Sequence, residues 1–218
     1  MLIPLKDLIR KYRFHPKGVV HIGANTGQEA DDYLKENIHS SFWVEAIPEV
    51  FKKLQQHLSK KNFLQCTISN TLLSNIDGKE VTFHIANNDG QSSSMFEFGT
   101  HTKEHPTVKF THDITLKTKR FDTLVRELLA NDNPLELKMN EYDFLNIDVQ
   151  GAELLVMEGM GNLIKKFKWI YLEVNEKELY KGIPLIEEID TFLHMKGFER
   201  RETSMTNFGW GDALYIKF

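Results

Sequence analysis

One cysteine, Cys66, occurs in 218 residues. A lone thiol forms no disulfide within the chain, so the fold rests on its apolar core, and the usage points to a reducing, cytoplasmic compartment. No apolar run approaches a membrane span, and the opening Met1-Leu2-Ile3-Pro4-Leu5-Lys6-Asp7 lacks the apolar stretch of a secretory signal. Positive charge is not in excess either. Lys and Arg number 27 against 31 Asp and Glu, for a net charge of -4, and the lysines are scattered, which disfavours a nucleic-acid partner. Internal repeats and low-complexity segments are absent. So are two phosphate-binding signatures: G-x-G-x-x-G, and the Gly-Lys-Ser/Thr loop.

What is present is enough apolar sequence, 41%, for one full core, and residues 1–218 read as a single domain. The stretch Gly18-Val19-Val20-His21-Ile22-Gly23-Ala24-Asn25-Thr26-Gly27-Gln28-Glu29 passes from a buried strand through two glycines into a helix carrying Ala30, Tyr33 and Leu34. Such a turn admits positive φ and close ligand approach, and free N–H groups at the helix start are expected to face the same space. Glu29 there disfavours pyrophosphate and suits a cationic ligand such as a sulfonium or an amino acid ammonium.

Strand and helix then alternate. Ser41–Glu45 reads as a strand, Pro48 as the first residue of a helix facing inward through Val50, Phe51, Leu54 and Leu58, and Phe63–Ile68 as a third strand ending in Ser69-Asn70. Residues 1–17 are a helical extension over one sheet edge. Val81–Ala86 is a strand, residues 87–112 a long aperiodic loop of the functional or disordered kind, and Ile114–Lys119 a strand before a helix with Phe121, Leu124, Val125, Leu128 and Leu129 on its apolar face. A loop follows at Asn131-Asp132-Asn133-Pro134. Tyr142–Asp148 and Trp169–Val174 are further core strands. Leu185, Ile189, Phe192 and Leu193 mark the inward side of a helix stopped by Gly197, and residues 198–216 form an antiparallel hairpin. This predicts an α/β fold with a mostly parallel, seven-stranded, Rossmann-like sheet and helices on both faces.

In open parallel sheets ligands bind beyond the carboxyl ends of the strands. The polar closures here are Gly23 to Gly27, Glu45, Ser69 with Asn70, Asp148, and Glu173 with Asn175. Glu45 is placed to accept hydrogen bonds from ribose hydroxyls. Asp148 suits a general base, a metal ligand, a clamp on an amino group, or an N-cap for the next helix. With Glu173 and Asn175 it offers hard oxygen donors for a divalent cation such as Mg. His21, His84, His101, His105 and His112 have no metal-site spacing and read as scattered surface imidazoles, so a zinc site is rejected. Ser92, Ser93 and Ser94 are either loop composition or hydroxyls lining a polar acceptor site. Cys66 reads as a buried strand residue.

These segments, in order, resemble the FkbM family of S-adenosylmethionine-dependent methyltransferases. The resemblance lies in Val20–Glu29, Trp43-Val44-Glu45-Ala46-Ile47-Pro48, Asn87–Ser94, Arg120-Phe121-Asp122-Thr123-Leu124, Phe144–Glu153 and Tyr171-Leu172-Glu173-Val174. It implies S-adenosylmethionine as donor and O-methylation of a small molecule or a sugar or glycan. It assigns Ile22, Gly23, Ala24, Asn25, Gly27 and Gln28 to the methionine part, Glu45 with Ala46 to the ribose, Ser69 and Asn70 to the neighbourhood of adenine, and Asp148 to the methyl. Arg120-Phe121-Asp122 departs from the family's usual Thr-Leu-Asp and is expected to alter packing beneath the acceptor site. The acceptor is then left to the 87–112 loop and the final hairpin, with Ser92, Ser93, Ser94, Glu173 and Asn175, or to a partner, either a homo-oligomer or a pathway protein. The rival readings are a nicotinamide-dependent reductase, a non-catalytic binding module and a nucleic-acid methyltransferase. Against them stand the missing third glycine, the intact carboxylates and the acidic balance.

Overall fold

A computed structural model describes residues 1–130 and 139–218. The elements in chain order are α1 (Leu5–Tyr12), β1 (Gly18–Ile22), α2 (Ala30–Lys35), β2 (Ser40–Glu45), α3 (Pro48–Leu58), β3 (Gln65–Asn70), β4 (Leu72–Leu73), β5 (Glu80–Ala86), α4 (His101–Glu104), β6 (Phe110–Lys119), α5 (Phe121–Ala130), β7 (Phe144–Ile147), α6 (Glu153–Gly159), β8 (Trp169–Asn175), α7 (Ile186–Met195), β9 (Phe198–Met205) and β10 (Trp210–Lys217). The seven-stranded sheet has the order β3-β2-β1-β7-β8-β10-β9, and only β10 runs against the rest.

β1 is buried at all five residues because both faces of the sheet are covered. On one face Val20, Ile22, Val44, Leu145, Ile147 and Leu172 meet Phe121, Val125, Met157, Ile189 and Leu193 from α5, α6 and α7. On the other, Val19, Trp43, Phe144, Tyr171 and Leu214 meet Leu5, Leu8, Tyr33 and Leu54 from α1, α2 and α3. Each fully buried Leu, Ile or Phe here contributes about 1.5–3 kcal/mol of transfer free energy. Pro48 is the first residue of α3, where its missing N–H costs nothing. β1 pairs in parallel with β2 on one side and β7 on the other, so the strand order reverses beside Ile22 and a crevice opens beyond its end.

Several expectations are corrected. α1 covers a sheet face rather than an edge: Leu5, Leu8 and Ile9 join one core with Val19, Phe144, Tyr171 and Leu214 of four inner strands. The third strand begins at Gln65, and Phe63 sits outside it, edge-on to Trp43 at 6.0 Å. Residues 87–112 are not wholly loop: α4 lies inside them, and β6 starts at Phe110. There β6 pairs with β5 and β4 in a separate three-stranded sheet. The exposed polar residues Thr111, His112 and Asp113 hid that strand's period. Leu129 points to solvent, 52% exposed. Ile186, not Leu185, joins Ile189 and Leu193 inward, Leu185 being the residue before the helix. The expected loop at Asn131–Pro134 lies outside the described residues. Among the described residues no helix is long and apolar enough to cross a membrane.

Candidate active site

A cavity of about 500 Å³ opens at the β1–β7 switch point. The end of β1, the following turn, Glu45, Asp148 and Glu173 line it, and the 88–108 segment walls it opposite. Ile22, Gly23, Ala24, Asn25, Gln28, Ala46, Ser92 and Ser93 all reach it. Gly27, Ser69, Asn70, Ser94 and Asn175 do not. A Cβ on Gly27 would lie 2.9 Å from Leu54 Cδ1, so that glycine serves packing against α3. The Ser69 hydroxyl pairs with Thr71, and Asn70 donates to the carbonyls of Glu45 and Ala46, so this strand end is tied down while Thr71 and Leu72 reach the cavity.

The glycine turn is not an open row of donors. Gly23 and Ala24 N–H bond to Val44 O, Asn25 N–H to Glu45 Oε2 at 2.9 Å, and Thr26 N–H to Asn25 Oδ1. The N–H groups of Gly23, Ala24 and Asn25 are thus satisfied by the neighbouring strand, and that of Thr26 by the Asn25 side chain. Asn25 holds φ +45° and Gly23 φ +79°. At Gly23 only glycine fits, since a Cβ would stand 1.7 Å from the Asp148 carbonyl oxygen.

Among the described residues five carboxylates line the cavity, from Glu29, Glu45, Asp148, Glu173 and Asp212, with no Lys or Arg side chain and with the Met1 amine 3.6 Å from Glu29. That field suits a cationic ligand. Glu45 also accepts the Ile47 N–H at 2.8 Å, and burial nevertheless pushes its carboxyl up to about 7. Asp148 is exposed and lines the cavity. The protein crowded around it displaces part of its water and raises its carboxyl to about 6, against the lowering effect of the Gln150 hydrogen bond. Its Oδ1 accepts that bond at 2.7 Å, and among the described residues its Oδ2 has no hydrogen-bond partner. Glu173 is driven well up by burial and by Asp148. Asp148 is not an N-cap: α6 starts at Glu153, whose carboxylate folds back to accept N–H groups from Val149 and Gly151.

The divalent-cation set is not assembled. The Gln150 Nε2 donor stands between Asp148 and Glu173, where a cation would have to sit, and Asn175 points elsewhere. Among the described residues no group of three or more His, Cys, Asp or Glu side chains is arranged for a metal.

The histidines divide differently from expectation. His21 is buried, stacked on Trp43 at 5.1 Å and bonded to Tyr33, with its pKa lowered to about 4 by burial. His101 is buried too, stacked on Phe98 at 4.3 Å, and joins His105 in the cavity wall. Only His112 is fully surface-lying; His84 is half-buried against Phe110. Cys66 is half-buried rather than buried. Arg120 clamps Asp122 through two hydrogen bonds, and Phe121 enters the main core against Phe42, away from the acceptor side.

Sequence reasoning missed Gln150, Tyr180, Trp210 and Asp212. For Asp212 a signal existed, a carboxylate opening the apolar run Ala213-Leu214-Tyr215-Ile216.

Strand order and switch-point cavity are those of the class I S-adenosylmethionine-dependent methyltransferase fold. Residues 21–200 match the methyltransferase FkbM domain, and the chain belongs to that family. It is similar to the 2-O-methyltransferase NoeI of Sinorhizobium fredii, 27% identical over 180 residues that cover 79% of this chain and 69% of the relative. Among solved structures it resembles the magnesium protoporphyrin IX methyltransferase ChlM of Synechocystis with bound S-adenosylmethionine. There the TM-score is 0.51 and the identity 12%, over 97% of this chain and 76% of that one. A putative tRNA (m1A22) methyltransferase of Streptococcus pneumoniae matches at TM-score 0.51 and 11% identity, over 100% and 71% of the two chains. These structural likenesses concern the fold. The nicotinamide and non-catalytic readings fall with the family assignment.

Proposed function

We propose that the protein transfers the methyl group of S-adenosylmethionine to a hydroxyl oxygen of a small molecule or a sugar, in the cytoplasm, with Asp148 receiving the hydroxyl proton. The donor supplies an electrophilic methyl on a sulfonium that is already a good leaving group. The chain's task is therefore alignment and proton removal.

The residues present fit that donor. Glu45, buried and closing β2, retains acceptor capacity for ribose hydroxyls beyond its two backbone bonds. The turn from Ile22 to Asn25, with Gln28 and Glu29, lines the side suited to the methionine portion, and the five carboxylates favour its positive charges. Ser92 and Ser93 belong to the opposite wall and serve the acceptor.

The single observation that carries the reading is the state of Asp148. Its carboxylate lines the cavity with Oδ1 held by the Gln150 amide, and the surrounding protein raises it to about 6, a stronger base than an ordinary aspartate at about 4. As the acceptor oxygen forms its bond to the methyl carbon, the carbon–sulfur bond breaks with its electrons on sulfur, and the hydroxyl proton passes to Asp148. The 2-O-methyltransferase relative supports oxygen as the atom attacked. Purified protein given methyl-labelled S-adenosylmethionine and a panel of saccharides and small alcohols tests this. Label recovered as a methyl ether is expected, and label found only on nitrogen or carbon refutes it.

A further inference from the structure

We propose that Gln150 is the positioning residue of this site: its side-chain amide sets Asp148 and Glu173 relative to one another and is itself held by Tyr180, while Ser94 holds its main-chain carbonyl. The inference rests on the reading of Asp148 as proton acceptor and goes beyond it.

Gln150 has φ +54°, a left-handed conformation that a glutamine rarely adopts. That backbone turns its side chain back over the strand ends. The amide nitrogen donates to Asp148 Oδ1 at 2.7 Å and to Glu173 Oε2 at 3.0 Å. Both of its hydrogens are thus used, one on each carboxylate, and the amide oxygen faces the other way. There it accepts the Tyr180 hydroxyl at 2.7 Å. The reverse amide orientation would aim an oxygen at two carboxylates, so the network admits one arrangement.

Tyr180 is fully buried and its hydroxyl also contacts Ser92 O at 3.2 Å. The Ser94 hydroxyl, likewise buried, donates to Gln150 O at 2.7 Å and accepts the Phe96 N–H. Ser94 in turn pairs with His84 of β5 through the backbone. A continuous chain of hydrogen bonds thus runs from the acceptor-side segment to the oxygen of Asp148 opposite its free one. Ser94, which does not reach the cavity, acquires a role through it.

The titratable groups around Asp148 are Glu173 on β8, Glu153 on α6, Asp212 on β10, Glu45 on β2, Glu29 before α2, Tyr180, and the Met1 amine. The carboxylates among them disfavour its charged form, whereas Gln150 favours it. Removing the amide must therefore move the Asp148 midpoint up from about 6.

The test is a carboxyl-carbon NMR titration of the full chain carrying 13C-labelled aspartate, with the Asp148 signal assigned by its loss in Asp148→Asn. Gln150→Asn tolerates the left-handed backbone but falls short of both carboxylates. Tyr180→Phe keeps the packing and removes only the hydroxyl that anchors the amide. The expected result is an upward shift of the Asp148 midpoint by ~0.5 pH unit or more in both variants. A merely structural role would lower the melting temperature and leave the midpoint in place, and an unmoved midpoint in either folded variant overturns the proposal. If Gln150→Asn does not fold, Tyr180→Phe alone decides. Undiminished methyl transfer by Asp148→Asn would instead sink the proton-acceptor reading, so the two failures are separable.

Discussion

Gly23 and Asp148 meet backbone to backbone: the absent Cβ of Gly23 would lie 1.7 Å from the Asp148 carbonyl oxygen, and the Asp148 N–H bonds to Ile22 O at 2.9 Å. The end of β1 and the end of β7 are thereby locked together where the strand order reverses. The turn that lines the donor side and the carboxylate assigned to the proton are one rigid unit, so damage to either should reach the other.

Gly23→Ala tests that unit. The methyl would strike a backbone atom that cannot move aside, at a φ that alanine disfavours. A loss of ~3 kcal/mol or more, or failure to fold, is expected in thermal or urea unfolding. Gly182→Ala has nothing within 4 Å of its Cβ and shares a positive φ of +72°. It should cost only about 1 kcal/mol.

Glu45→Ala removes the acceptor proposed for ribose and two turn contacts, to Asn25 and Ile47. Calorimetry should show S-adenosylmethionine binding weakened by ~10-fold or more, as for loss of hydrogen bonds to a charged group. Unchanged affinity would remove Glu45 from the donor site.

Burial raises the Glu45 carboxyl in the folded state to about 7, above its unfolded value near 4.5. The folded protein therefore binds the proton more tightly than the unfolded chain. The associated stability is present below about 4.5 and is lost as pH rises through about 7. In ligand-free protein, melting temperature should fall between those values more steeply for the wild type than for Glu45→Gln. Parallel curves for the two would contradict the raised value.

Much of this was legible in the chain because it depends on local pattern. Val19–Ile22 and Phe144–Ile147 are apolar runs closed by polar residues, and those closures do meet at one rim. What stayed hidden depends on contacts between distant segments. Nothing in Val149-Gln150-Gly151 announces that Gln150 turns left-handed to bridge two carboxylates, or that Tyr180, thirty residues on, anchors it. The donor groups of the glycine turn looked free because their partners, Val44 O and Glu45, lie on the next strand. Ser69 and Asn70 close their strand as expected, but the chain bends there and presents Thr71 and Leu72 to the cavity.

The most direct test of the account is Asp148→Asn, assayed with labelled S-adenosylmethionine and an acceptor found active with the wild type. The account predicts donor affinity within about twofold of wild type and methyl transfer reduced by ~10²–10⁴, the usual worth of a positioned general base. Transfer at the wild-type rate would contradict it.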